Sequence, residues 1–204
     1  MPPRDEEDYE QRRQQLIDGA LEAFAAKGFD GASNKDIARA AKIASPGLIY
    51  HYFKDKVDLL HQLLESRMPL LRVVEETEGK LGDPPEELLP VLALRILKAY
   101  EHWPAFALIK IVLTEALRNP QVAKMVMEIG PGRGLRVISR YMARQMDAGR
   151  LRRIDPDIAA RAFLGPLLAY TVTRNLFQDS ASQAISHEEM AREATAIFLR
   201  GMAP

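Results

Sequence analysis

Residues 33–56 read SNKDIARAAKIASPGLIYHYFKDK, and their pattern sets the expectation for the whole chain. Ser33 stands three residues before Asp36, the S-x-x-D form of a capping box that opens a helix. Ile37, Ala38 and Ala41 then share the face that a core-facing helix buries. Lys42 to Ala44 make a turn. Ser45 is placed to cap a second start, with Pro46 at the first helical position, where a missing N–H costs nothing. GLIYHYF continues as a short helix. Asp55 caps a third helix, with Lys56 in its first turn and Asp58 three residues on.

Two short helices joined by a tight turn form a helix-turn-helix, whose second helix is slim enough to enter a DNA major groove. The side chains suit that use. Ser33 and Ser45 sit at helix N-termini, which favour a phosphate. Tyr50 and His51 offer donors beside flat apolar surfaces. Pro46 and Gly47 are small and let the backbone approach base edges. Lys54 and Lys56 supply charge for phosphates. The candidate DNA-contacting set is Ser33, Lys35, Arg39, Ser45, Pro46, Gly47, Leu48, Tyr50, His51, Tyr52, Lys54 and Lys56.

The ordered run KGFDGAS (27–33), I-A-x-x-A (37–41) and SPGLIYHYFKDK (45–56) resembles the DNA-binding domain of the tetracycline-repressor (TetR) family over Glu10 to Leu60. Two departures stand out. Lys42 occupies a turn position where the family usually has Gly. One extra residue lies between Ile37 and Tyr50, among Ile43 to Pro46. The family's DNA-contacting positions therefore carry over to Gly47, Tyr50, His51 and Lys56. For Ala44, Ser45 and Pro46 the register is open by one position.

With 204 residues, the chain can bury a substantial core. It has no cysteine, hence neither a disulfide framework nor a thiolate metal site, in keeping with a reducing cytoplasm. No stretch offers the roughly eighteen unbroken apolar residues of a membrane helix. MPPRDEEDYEQRR lacks the apolar core of a signal peptide. Formal net charge is zero, but residues 11–56 carry eight basic against five acidic side chains, a modest positive footprint.

Met1 to Asp8, rich in Pro and acid, reads as disordered. A helix from about Tyr9 to Lys27 buries Ile17, Ala20, Leu21 and Phe24 and stops at Gly28. After the helix-turn-helix comes a helix with Leu59, Leu60, Leu63 and Leu64, which ends or kinks at Pro69. GDPPEE (82–87) starts a new helix, with Asp83 capping, Pro84 first and Pro90 bending or delaying it. Further helices follow: Pro104 to Arg118, Asn119 to Glu128, one bearing Leu135, Ile138, Met142 and Met146 and stopped by Gly149, Asp155 to Asp179, and Ser186 to Arg200. GPGRG (130–134) reads as a break between two of them. No stretch reads as a strand, so the expectation is an all-α chain of about nine or ten helices. Its parts are a three-helix head at residues 10–57 and a helical bundle at 58–204 for effector binding and dimerisation.

In the body, Phe163, Leu164, Leu168, Val172, Ile197 and Phe198 are candidate dimer-interface residues, because the last long helices are apolar on two sides. Plain core is the competing reading. Trp103, Phe106, Glu115, Tyr141, Tyr170 and Arg174 are candidates for an effector pocket among the aromatic middle helices, against the same competing reading. His51, His61, His102 and His187 lack metal-ligand spacing, no nucleophile elbow is present, and GPGRG lacks the ending of a phosphate loop. No cofactor is expected. The chain thus reads as a cytoplasmic, homodimeric, ligand-responsive transcriptional regulator, most simply a repressor, that binds a palindromic double-stranded DNA operator and a small apolar or amphipathic effector, with no membrane. The alternative is a helical enzyme or ligand carrier with a degenerate head.

Overall fold

The computed structural model describes residues 4–67, 73, 76–101, 103–129 and 131–204, without the side chains of 4, 5, 103–107, 109 and 131. The structure is 80% helical and has no strand among the described residues. The helices are α1 (Arg4–Gly31), α2 (Asn34–Ala40), a 3-10 turn (Pro46–Leu48), α3 (Ile49–Tyr52), α4 (Lys56–Arg67), α5 (Pro85–Ala99), α6 (Trp103–Arg118), α7 (Pro120–Ile129), α8 (Pro131–Asp147), α9 (Pro156–Asn175), α10 (Ser180–Ala184) and α11 (His187–Gly201). That is more than the nine or ten expected. The recognition segment divides into a 3-10 turn and one α-helical turn, and α10 is an unforeseen extra.

The chain forms two compact units, Met1–Met68 with Ala107–Ile129, and Pro69–Phe106 with Gly130–Pro204. In the first, α1 buries Leu16, Ile17, Ala20, Leu21 and Phe24, and α4 buries Leu59, Leu60, Leu63 and Leu64. Val122 and Val126 of α7 are buried in the same unit, where α7 packs on α4. At Gly19 an added Cβ would lie 2.5 Å from the Ala41 nitrogen, so only glycine lets α1 approach the end of α2 this closely. The second unit packs α11 on α5 and α9, and α8 on α9. Its core includes Leu89, Ala93, Ile138, Tyr141, Met142, Phe163, Leu167 and Phe198.

Several boundaries differ from expectation, each for a local reason. Residues 4–8 are helical rather than disordered, and Asp5 to Asp8 put negative charge at the favourable positive end of the α1 dipole. Gly28 interrupts α1 with φ 75° and ψ 167°, a conformation essentially reserved for glycine, as the sequence pattern required. The N-cap of α5 is Pro84 rather than Asp83, because a residue before proline is held extended, here by Pro85. Pro90 neither delays nor ends α5. The break at GPGRG is overturned from its second residue on, since α8 begins at Pro131 with proline first. α9 ends at Asn175, and Asp179 instead caps α10 by accepting from the Ser182 amide at 2.8 Å. Ser186 caps α11, accepting from the Glu189 amide at 3.1 Å. The region around Pro69 lies outside the described residues.

Candidate nucleic-acid interface

The capping box of α2 forms as its sequence dictates. Asp36 receives bonds from the Ser33 amide (3.0 Å) and hydroxyl (2.7 Å), while the Asp36 amide donates back to Ser33 Oγ at 3.3 Å. Lys27 Nζ adds a 2.6 Å contact. The Lys27 and Ser33 donors hold the Asp36 carboxyl well below the usual carboxylate range.

α2 ends in a Schellman motif. The Ile43 amide donates to Ala38 O (2.9 Å) and the Lys42 amide to Arg39 O (3.1 Å), with Lys42 at φ 56°. α8 ends in the same arrangement around Gly149, at φ 69°, with Arg150 N to Gln145 O at 2.9 Å. Lys42 thus does with strain what Gly149 does without it.

Ser45 is extended ahead of Pro46 and makes no side-chain cap bond, so the Ser45 hydroxyl is left out of the turn. The segment from Pro46 to Tyr52 is pinned through Ile49 and, just beyond it, Phe53, both 1% exposed. Gly47 and Leu48 before the first anchor, and Tyr50 and His51 between the two, face outward, and Tyr50 is 63% exposed. A Cβ on Gly47 would meet nothing nearer than Ser45 Oγ at 3.7 Å, so the fold itself leaves room for a larger residue there. Ser33, Lys35, Arg39 and Lys54 are also exposed, while Pro46, Tyr52 and Lys56 are half-buried.

Lys56 is turned inward. Its ammonium lies 4.6 Å from the Phe29 ring centroid and 3.4 Å from Asp30 O, and desolvation lowers its pKa. Two neighbours of this surface escaped the sequence reading. Asn34 Nδ2 donates to Tyr50 Oη at 2.9 Å. The Tyr9 ring lies 4.7 Å from Tyr52 and 6.2 Å, edge-on, from His51. The signal for Asn34 was its place directly after the cap, where a helix side chain is free to reach sideways.

The body residues fall differently. Trp103 and Phe106 lie outside the described side chains. Glu115, 2% exposed, accepts from the Phe29 amide at 3.2 Å within the first unit. In the second unit Tyr141 donates to Asp83 O at 3.0 Å and Tyr170 to Ile185 O at 2.7 Å. Arg174 Nη1 serves the carbonyls of Ser182, Gln183 and Ile185 at 2.7, 3.1 and 3.0 Å. Burial raises the pKa of both Tyr141 and Tyr170. The polar groups of these four residues thus hold loops and helix ends together.

Of the interface candidates, Phe163 and Phe198 are 2% and 8% exposed and pack on each other at 5.5 Å, inside the unit rather than on it. For these two of the candidate dimer-interface residues, the packing fits the competing reading, plain core. Leu164 and Val172 are half-buried, and Leu168 and Ile197 are 60% and 63% exposed.

A capped helix, a tight turn and a short outward-facing segment on buried anchors define a helix-turn-helix DNA-binding protein. The chain belongs to the TetR family of bacterial transcriptional regulators. Residues 16–63 match the model described as bacterial regulatory proteins, tetR family, and residues 87–203 that of the AefR-like transcriptional repressor, C-terminal domain. The HTH-type transcriptional regulator UidR of Escherichia coli (strain K12) is 30% identical over 93% of this chain and 88% of its own. In fold the chain is similar to the transcriptional regulator FadR from Bacillus subtilis in complex with stearoyl-CoA (TM-score 0.73, 20% identity, 93% of this chain and 98% of that one). It is also similar to SmeT in its triclosan complex (TM-score 0.75, 22% identity, 95% and 92%). Both family models and the UidR relative are of transcriptional regulators, not enzymes, which sets aside the reading of the chain as an enzyme. No helix among the described residues is long and apolar enough to cross a membrane.

Proposed function

We propose that this regulator is a cytoplasmic homodimeric repressor whose two heads read a palindromic operator and which a small apolar or amphipathic effector releases. The observation that carries the reading is the surface from Ser45 to Tyr52, pushed outward by buried Ile49 and Phe53. Each head (residues 10–57) sets this segment in a major groove. Ser33, Lys35, Arg39, Tyr50, His51 and Lys54 meet phosphates or the groove edge, and Lys56 adds charge from behind Phe29.

One helix-turn-helix reads few bases, and a two-fold pair doubles the site, with half-sites about one helical turn or a multiple apart. Support for pairing comes from α9 and α11, which expose Ile158, Leu168 and Ile197. Beside them lies an apolar groove of about 470 Å³ lined by Ile158, Ala162, Pro166, Ala194, Ile197 and Met202. A second copy covering these side chains would remove them from water across a two-fold axis. Residues 58–204 carry this pairing and the effector site. The ligands named for the FadR and SmeT complexes, an acyl-CoA and an apolar phenol, support an effector of similar character. Such a ligand acts through its differential affinity for DNA-competent and DNA-incompetent arrangements.

Selection of bound sequences from random duplex DNA, at two salt concentrations, tests the reading. A two-fold-symmetric site that persists at the higher salt is expected. Binding that is sequence-blind and lost with salt overturns it.

A further inference from the structure

The recognition segment is too short to hold its own side chains. It consists of a three-residue 3-10 turn and a four-residue helix, well under the length at which a helix is stable by itself. Ile49 and Phe53 fix its backbone from below, but they do not orient Tyr50, whose ring stands in solvent. A freely rotating Tyr50 would lose rotamer entropy on meeting DNA, which weakens binding.

A side chain from another helix reaches it. Asn34 is the first residue of α2, and the capping of that helix is completed by Ser33 and Asp36, so the Asn34 amide is not spent on the helix end. Asn34 Nδ2 donates to the Tyr50 hydroxyl oxygen at 2.9 Å. A phenol has one proton and can accept as well as donate. Accepting from Asn34 leaves the Tyr50 proton unused and enhances its donor strength, since hydrogen bonds in a chain polarise one another. A strengthened donor pairs best with an anionic oxygen, and on a duplex the abundant anionic oxygens are phosphates.

We propose that Asn34 is a positioning residue for DNA binding: it holds the Tyr50 hydroxyl as an acceptor and so presents its proton to a backbone phosphate. The proposal rests on the assignment of Tyr50 to the DNA surface. It makes Asn34 part of affinity rather than of sequence choice, because a phosphate contact positions without reading bases.

A double-mutant cycle tests it, using full-length protein, fluorescence anisotropy and a duplex selected from random DNA by the wild type. Tyr50→Phe is expected to weaken binding by about tenfold or more, the scale of a hydrogen bond to a charged group. Asn34→Ala is expected to weaken it by about three- to tenfold with the melting temperature unchanged, the scale of a neutral bond. In the Tyr50→Phe background, Asn34→Ala is expected to have almost no further effect, because its partner hydroxyl is gone. A duplex of scrambled sequence should show the same relative losses. If Asn34→Ala weakens binding equally in both backgrounds, or only by lowering the melting temperature, Asn34 acts through α2 and the proposal falls. If Tyr50→Phe binds like wild type, the assignment of Tyr50 falls first and the proposal with it. If Tyr50→Phe matters and Asn34→Ala does not, the proposal alone falls.

Discussion

Tyr50 and Phe163 are aromatic residues whose sequence settings both pointed to contact with another molecule, and they occupy opposite environments. Tyr50 stands 63% exposed between buried neighbours, whereas Phe163, 2% exposed, packs against Phe198. The difference follows from what surrounds each. In the head, a turn and two buried anchors only four residues apart leave Tyr50 and His51 nowhere to go but outward. In the body, a long helix apolar on two sides has more than one way to bury a ring, and local pattern does not choose between them. The proposed pairing surface accordingly rests on Ile158, Leu168 and Ile197 and not on the two phenylalanines.

The sharpest way to break this contrast is to truncate on either side of it. Phe163→Ala should cost about 3–5 kcal/mol in denaturant unfolding, as expected for an aromatic removed from a core. Leu168→Asp should instead leave a folded chain with an unchanged far-ultraviolet circular dichroism spectrum that sediments as a monomer. Equal losses of stability for the two would erase the distinction between core and pairing surface.

Within the head, Gly19→Ala probes the tightest approach. Alanine favours helices over glycine by about 1 kcal/mol, yet its Cβ would press on the Ala41 backbone. A net loss of about 1–3 kcal/mol, typical of overpacking, is expected from chemical denaturation. A gain in stability would show that α1 and α2 are not held at this distance.

Asp36 sets a smaller, pH-dependent effect. Its folded pKa lies below the ordinary 3.8, through bonds from Lys27 and Ser33. The unfolded state therefore binds its proton first as pH falls, and the stability from this carboxylate is complete above 3.8 and is lost progressively below it. Asp36→Asn should melt below wild type at pH 7, and that gap should narrow as pH drops below 3.8. A gap that persists undiminished in acid would mean that the charge is not what Asp36 contributes.

The smallest effect belongs to Lys42. Left-handed backbone costs an L-residue roughly 1–2 kcal/mol, partly offset because glycine gains freedom when unfolded. Lys42→Gly should raise unfolding free energy by up to about 1 kcal/mol, making this helix end resemble the one at Gly149. Destabilisation would indicate that the Lys42 side chain contributes more than its backbone strain takes away.

The head was legible because its signals are local. Ser33 and Asp36 lie within one turn, Pro46 fixes its own φ, and Gly28 occupies a conformation that other residues avoid. Even the departure at Lys42 had a structural counterpart, the strained Schellman end. Asn34 and Tyr9 were illegible because their importance comes from what folding brings beside them, Tyr50 and Tyr52, sixteen and forty-three positions away along the chain. The body was legible as helices but not as surfaces. Tyr141, Tyr170 and Arg174 carry polar groups of the kind a ligand site uses, and each proves to be bonded to a loop carbonyl that no periodicity reveals. Asp179 shows the same limit at smaller scale, since a capping aspartate and a helical one look alike until the amide of Ser182 is in place.

In the proposed function two heads, each using the Ser45–Tyr52 surface, read one operator together. Measuring the affinity of the full-length protein for its selected duplex, intact and with one half-site scrambled, tests it most directly. Two-headed reading predicts a loss of about a hundredfold or more when one half-site is scrambled, since each mismatched base pair costs about 1–3 kcal/mol. Affinity retained within about threefold, less than the cost of even one mismatch, would contradict it.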